Sequence, residues 1–262
     1  VNEDYEEGVK VLLQWMDEVE VITAQGWSLL GQAYFQLGSD KKSESEKLDY
    51  YEKALESMLN AVQTAELEEY KPKENWYVLM AACYSELSSR IGKEESLYKQ
   101  LDIYEILVNL YPKKMYFIQL GGIYGQLNRE LDYMITLNAA YQKDLLDKES
   151  EYLALTQLLL LNNNPYWAAK VLEAGRIKKV PVIDEKTKEE KILPVVKDNE
   201  KNLKLLADAW RMAQEIELAI PIMEKAARLA KDGQTFIILG SLYLSEDKLE
   251  EAVDAIEQGL KK

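Results

Sequence analysis

The sequence predicts an all-α solenoid: about six helix pairs stacked into a right-handed superhelix, with an extra helix in front. Three observations carry this reading. A spaced set of large and small residues recurs along the whole chain. Helical periodicity fills the intervals between polar breaks. Hydrophobic residues make up 47%, enough to bury a core.

The recurrence is clearest in the last pair. Around Gly240 stand Phe236, Leu239 and Tyr243, followed by Ala252, Ile256 and Gly259. Around Ala207 the same offsets hold Leu203, Leu206 and Trp210, then Ala219, Met223 and Ala226. Thr156, Gly121, Ala81 and Gly31 anchor earlier copies, at successive shifts of 50, 40, 35, 51 and 33 residues from Gly31 to Gly240. A mid-helix glycine costs about 1 kcal/mol against alanine. Its return at Gly31, Gly121 and Gly240 is expected where two helices of a pair approach closely, with Gly240 facing Ala252.

The elements follow in order. A leftover second helix is expected over about 4–22. Pairs are expected over 24–37 with 46–68, 74–90 with 94–110, 114–127 with 130–145, 149–162 with 165–177, 199–213 with 215–230, and 233–245 with 248–261. "NNNP" before Tyr166 and "SEDK" before Leu249 read as tight turns within pairs. "SDKKSESEK" and "SSRIGKEES" read as enlarged polar loops. "LYPKK" ends a second helix, because proline cannot continue it. The 51-residue shift exceeds the ordinary 34-residue period by 17. The excess lies in "KKVPVIDEKTKEEKILPVVKDN", about 178–198, whose two β-branched runs fit a short β-hairpin or a plain loop. The whole of 1–262 is expected to form one solenoid.

These large-small-large first helices and small-residue second helices resemble the tetratricopeptide repeat. More particular phrases are "KPKENWYVLMAACYSEL", "YEILVNLYPKKMYFIQLGGIYGQL", "NNPYWAAKVLEAG" and "AIPIMEKAARLAKDG". From about Lys71 onward they are similar to proteobacterial tetratricopeptide-repeat proteins encoded beside TonB-type energy-transduction systems. That resemblance implies a periplasmic location and a secretion signal. The given chain shows no signal peptide, and its start at Val1 reads as a piece of something longer. The 178–198 segment and the enlarged first loop depart from that group.

Composition excludes several functions. Lys plus Arg is 32 and Asp plus Glu is 46, giving a net charge of −14. Such a chain is poorly suited to nucleic acid, which needs a basic face. No histidine is present, which removes the commonest general base and metal ligand. Cys83, in the apolar stretch "LMAACYSEL", reads as a buried small residue rather than a nucleophile. No stretch is apolar enough to insert in a membrane. No enzyme activity, cofactor or metal is expected.

What remains is a scaffold that holds a protein or peptide on its concave face. Counting from the packing positions, that face takes Ser28, Gln32 and Phe35 from the first pair, and Met115, Ile118, Gly122 and Gly125 from the third. Leu153 and Gln157 come from the fourth, and Lys201, Lys204, Asp208 and Arg211 from the fifth. Helix "KMYFIQLGGIYGQL" holds three glycines, at about 2–3 kcal/mol in helix propensity. Gly122 and Gly125 are not needed for packing within the pair. They would leave a trough for a partner's backbone, or serve local packing or flexibility. Lys201, Lys204 and Arg211 share one helix face and suit acidic groups of a partner, or form a solvated face offset by Asp208 and its neighbours. The positions that hold Lys and Asn in carboxylate-clamping repeats are here Ser28, Gln32, Leu79, Met115 and Gln119, so that clamp is not expected. The alternatives are a homo-oligomer pairing through its terminal helices and, less favoured, an accessory subunit of an envelope enzyme.

Overall fold

A computed structural model describes residues 2–183 and 188–262. It contains two compact units, residues 1–129 and 130–262. The first holds α1 (Asn2–Glu18), α2 (Ala24–Asp40), α3 (Glu44–Leu67), α4 (Glu74–Glu86), the short α5 (Ser88–Ile91), α6 (Lys93–Leu110) and α7 (Lys114–Gln126). The second holds α8 (Glu130–Gln142), α9 (Glu149–Leu161), α10 (Pro165–Ile177), β1 (Lys179–Ile183), β2 (Glu190–Pro194), α11 (Glu200–Met212), α12 (Ile216–Leu229), α13 (Gln234–Ser245) and α14 (Leu249–Lys261).

Each unit is a stack of antiparallel helix pairs of tetratricopeptide type. A second helix packs against its own first helix and against the next one: α3 touches α2 and α4, α6 touches α4 and α7, α10 touches α9 and α11, and α12 touches α11 and α13. The close approach falls at the small residues. A Cβ on Gly240 would stand 2.6 Å from Ile256 Cγ1 and 3.2 Å from the Ala252 carbonyl. On Gly31 it would meet Met58 Cε at 2.9 Å and the Ala54 carbonyl at 3.0 Å. A side chain at either site would push the two backbones apart. Around that seam Ala54, Met58, Ala61, Tyr77, Met80 and Leu107 are buried, as are Leu203, Leu206, Met223 and Leu239.

The tight turns share one device. Asn163, Gln214 and Asp247, each two residues before a second helix, have φ between 55° and 62°. This left-handed conformation is tolerated best by residues with short polar side chains, which two of the three are. Pro165 then begins α10 where no amide donor is needed.

Two loops prove more structured than the sequence suggests. The "SSRIGKEES" stretch contains α5, and Gly92 at φ 94° turns the chain into α6. Leu87 and Ser96 at its edges are buried, and Ser96 Oγ donates to the Tyr84 carbonyl at 2.7 Å. The 178–198 insertion is a hairpin, with Lys179 opposite Pro194 and Ile183 opposite Glu190. Its charged turn at 184–187 lies outside the described residues. The insertion is not loop to its end. Val195 and Val196 are buried, and the Val196 amide donates to the Gly175 carbonyl at 2.9 Å. A Cβ on Gly175 would lie 2.6 Å from Val196 Cγ2, so the strand exit fills the seam beside α10.

Candidate functional site

In the second unit α9 and α11 are both first helices, and a groove of about 480 Å3 opens between them. It is lined by Leu153 and Gln157 from α9 and by Lys201, Lys204, Leu205 and Asp208 from α11, with Glu200 and Asn202 at its end. Five of these, Leu153, Gln157, Lys201, Lys204 and Asp208, are the residues that repeat counting assigns to a common face. The spacing of Lys201, Lys204 and Asp208 keeps them on one side of a helix, and the buried Leu203, Leu206 and Ala207 hold the opposite side in the core.

The groove's end is fixed by polar contacts. Asn199 caps α11, its Oδ1 accepting from the Asn202 amide at 2.9 Å. Asn202 is buried and donates through Nδ2 to Glu149 Oε1 at 2.7 Å and to the Lys197 carbonyl at 2.9 Å. Glu149 also accepts from the Lys197 amide at 3.0 Å. One repeat later, Thr235 Oγ1 donates to Glu200 Oε1 at 2.9 Å. In the first unit Tyr116 donates to Glu74, which also holds Lys113 Nζ at 2.7 Å. These two donors keep the Glu74 carboxyl below its ordinary pKa, the lysine first. A glutamate at the first position of one first helix is thus pinned by the start of the next first helix. Repeat counting does not reveal this pin. Its signal is the glutamate that opens α4, α9 and α11.

Charge is distributed unevenly around the groove. Arg211 Nε lies 3.3 Å from Asp208 Oδ1, so these two partly neutralise each other. Lys201 is exposed and Lys204 half-buried. Neither has a hydrogen-bond or ion-pair partner among the described residues. The groove therefore offers two ammonium groups, an amide at Gln157, apolar surface at Leu153 and Leu205, and the carboxylates of Glu200 and Asp208, which Thr235 and Arg211 already engage.

The other expected residues lie in the first unit. Met115, Ile118, Gly122 and Gly125 follow one another along α7, with Met115 57% exposed and Ile118 half-buried. A Cβ on Gly122 would meet nothing within 4 Å. Gln32 is half-buried, and its Nε2 donates to the Ser28 carbonyl at 3.1 Å. Ser28 itself is 0% exposed and turns its hydroxyl to the Gln25 carbonyl, so it is no surface contact. Position counts alike in every repeat, but length does not. Lys204 and Ile237 stand at the same offset from their anchors as Ser28 and reach outward, whereas a serine there is covered by its neighbours.

Cys83 is fully buried, and burial pushes its thiol up to about 12, far from nucleophilic. Among the described residues, no helix is long and apolar enough to cross a membrane.

No family profile and no curated protein matches the chain. Solved structures do resemble it. MamA from Desulfovibrio magneticus RS-1 is 17% identical, with 69% of this chain and 93% of that one covered and a TM-score of 0.42. YrrB, described as a TPR protein with an unusual peptide-binding site, is 13% identical over 79% of this chain and 92% of its own, at 0.47. The C-terminal part of a TPR repeat-containing protein from Cytophaga hutchinsonii is 13% identical over 98% and 91%, at 0.41. At these scores the likenesses add nothing to what the helix pairing itself establishes.

Proposed function

We propose that the protein is a non-catalytic scaffold that holds an acidic, partly apolar segment of a partner in the groove between α9 and α11. One observation carries this: Gln157, Lys201 and Lys204, from successive first helices, line one groove, and both lysines lack partners among the described residues of a strongly acidic chain. Binding combines apolar contact at Leu153 and Leu205 with ammonium–carboxylate pairing, and salt weakens the second part. The likeness to proteins encoded beside TonB-type systems supports a partner in the bacterial envelope and a periplasmic location.

The test is titration with a labelled Asp- and Leu-rich peptide, with an Asn-for-Asp counterpart as control. The acidic peptide should bind more tightly, and Lys201→Glu with Lys204→Glu should weaken it at least tenfold, about 1.4 kcal/mol. Equal binding of both peptides by parent and variant would refute the reading. The open backbone at Gly122, beside exposed Met115, favours a second reading in which α7 receives an uncharged backbone. Gly122→Gln with Gly125→Gln should then block an uncharged apolar peptide and leave helix content unchanged.

A further inference from the structure

The insertion at 178–198 builds two strands, β1 and β2, that add no buried side chain to the core. They pair in one register, and beside them the Val195 amide donates to the Lys178 carbonyl at 2.9 Å. Antiparallel pairs alternate between hydrogen-bonded and non-bonded ones. Counting from the bonded pair 178 and 195, Lys179 with Pro194, Pro181 with Ile192 and Ile183 with Glu190 are non-bonded pairs, whose backbone groups point outward. Both prolines therefore fall where the ladder loses no donor, and each removes one donor from an outer edge. Such edges resist a third strand. What the hairpin can offer a neighbour is a face.

Side chains alternate between the two faces of a strand, and directly opposite residues share one. One face of the hairpin carries Val180, Val182, Lys191 and Leu193 and runs on to the buried Val195. Val180 is half-buried, so this is the side nearer the core. The other face carries Lys179, Pro181, Ile183, Glu190, Ile192 and Pro194, all exposed, with Ile183 and Ile192 each at 67%. Its middle is apolar. Its cation, Lys179, stands at the base of β1, and its anion, Glu190, stands toward the tip on β2, about 13 Å away along the strands. Neither has a hydrogen-bond or ion-pair partner among the described residues.

A face with opposite charges at its two ends is complementary to itself reversed. A two-fold axis in the plane of contact, set across the diagonal from Lys179 to Glu190, brings Lys179 of each copy to Glu190 of the other and lays apolar centre on apolar centre. We infer that the exposed hairpin faces of two copies of this chain pack on each other in this reversed arrangement. The face is about 17 Å long, too small for the roughly 800 Å2 per copy of a standard stable interface, so the dimer is weak and depends on concentration. At about 0.15 M salt the net charge of −14 is screened beyond about 8 Å, which lets two acidic copies approach.

The inference is independent of the groove between α9 and α11. Sedimentation of the intact chain should show an average mass that rises toward twice the monomer as concentration approaches about 1 mM. Ile183→Asp with Ile192→Asp should keep the chain monomeric over the same range, with helix content unchanged by circular dichroism. Lys179→Glu should weaken the dimer severalfold, and adding Glu190→Lys should restore it, because exchanging the two charges keeps the reversed face complementary. Under mild oxidation, a Lys179→Cys chain mixed with a Glu190→Cys chain should give more linked dimer than either alone, and the fully buried Cys83 does not compete. A chain that stays monomeric up to about 1 mM would overturn the inference and leave the face to a different protein. So would a dimer that Ile183→Asp with Ile192→Asp leaves intact, or one that Glu190→Lys fails to restore.

Discussion

Gly240 in α13 and Gly8 in α1 are both glycines inside helices, yet their surroundings are opposite. At Gly240 the second helix is in place, and an added carbon would collide with Ile256 and approach the Ala252 carbonyl. At Gly8 the space is empty. A small residue in a helical repeat is thus a requirement only where the opposing helix is present. The grooves differ in charge too: the one beside α1 is lined by Asp4 and Glu7 without a cation, the one beside α11 by Lys201 and Lys204 together with Glu200 and Asp208.

The largest effect should come from overfilling the closed seam. Gly240→Leu should destabilise the protein by about 3 kcal/mol through overpacking. An unchanged denaturation midpoint would break the comparison at its closed end. Next comes Val196, which is 0% exposed against Gly175. Val196→Ala should cost about 1–2 kcal/mol. Replacing residues 180–193 by an Asn-Gly turn between Lys179 and Pro194 should change stability by less than about 0.5 kcal/mol. Chemical denaturation of both variants separates the exposed hairpin from its anchored exit.

A pH-dependent effect tests the contact between second and first helices. Tyr243 donates to Glu224 at 2.5 Å, and Tyr124 to Glu105 at 2.6 Å, 19 residues apart in both cases. Burial first, and then the Glu224 bond, push the Tyr243 hydroxyl from 10.0 up to about 12. A raised pKa means that the folded state favours the protonated phenol. This stabilisation is full below pH 10 and is lost as pH rises through about 12. Ultraviolet titration should show tyrosines ionising late, and Glu224→Gln should advance one of them. A wholly unperturbed titration would exclude the contact. The smallest effect belongs to the open site: Gly8→Ala should stabilise by up to about 1 kcal/mol, because helix propensity improves and nothing is displaced. Destabilisation there would contradict the open surroundings of Gly8.

Repeat register, helix order and the Gly31 and Gly240 contacts were legible because each copy supplies the same large and small residues at the same offsets. The groove face was legible for Gln157, Lys201, Lys204 and Asp208 for that reason, and misread at Ser28 because a short side chain cannot reach past its neighbours. The bonds from Asn202 to Glu149 and from Thr235 to Glu200 were not legible. They join residues 53 and 35 apart, and no local period links them. The burial of Val195 and Val196 was hidden inside a segment whose β-branched runs resemble an exposed hairpin throughout.

The most direct test of the groove between α9 and α11 titrates the labelled acidic peptide and its Asn-for-Asp counterpart with the intact chain and one variant in a single anisotropy experiment. Lys201→Glu with Lys204→Glu should weaken the acidic peptide at least tenfold and leave the Asn-for-Asp peptide unchanged. If the variant weakens both peptides alike, or neither, the groove does not select by charge, and the proposed binding of an acidic segment is contradicted.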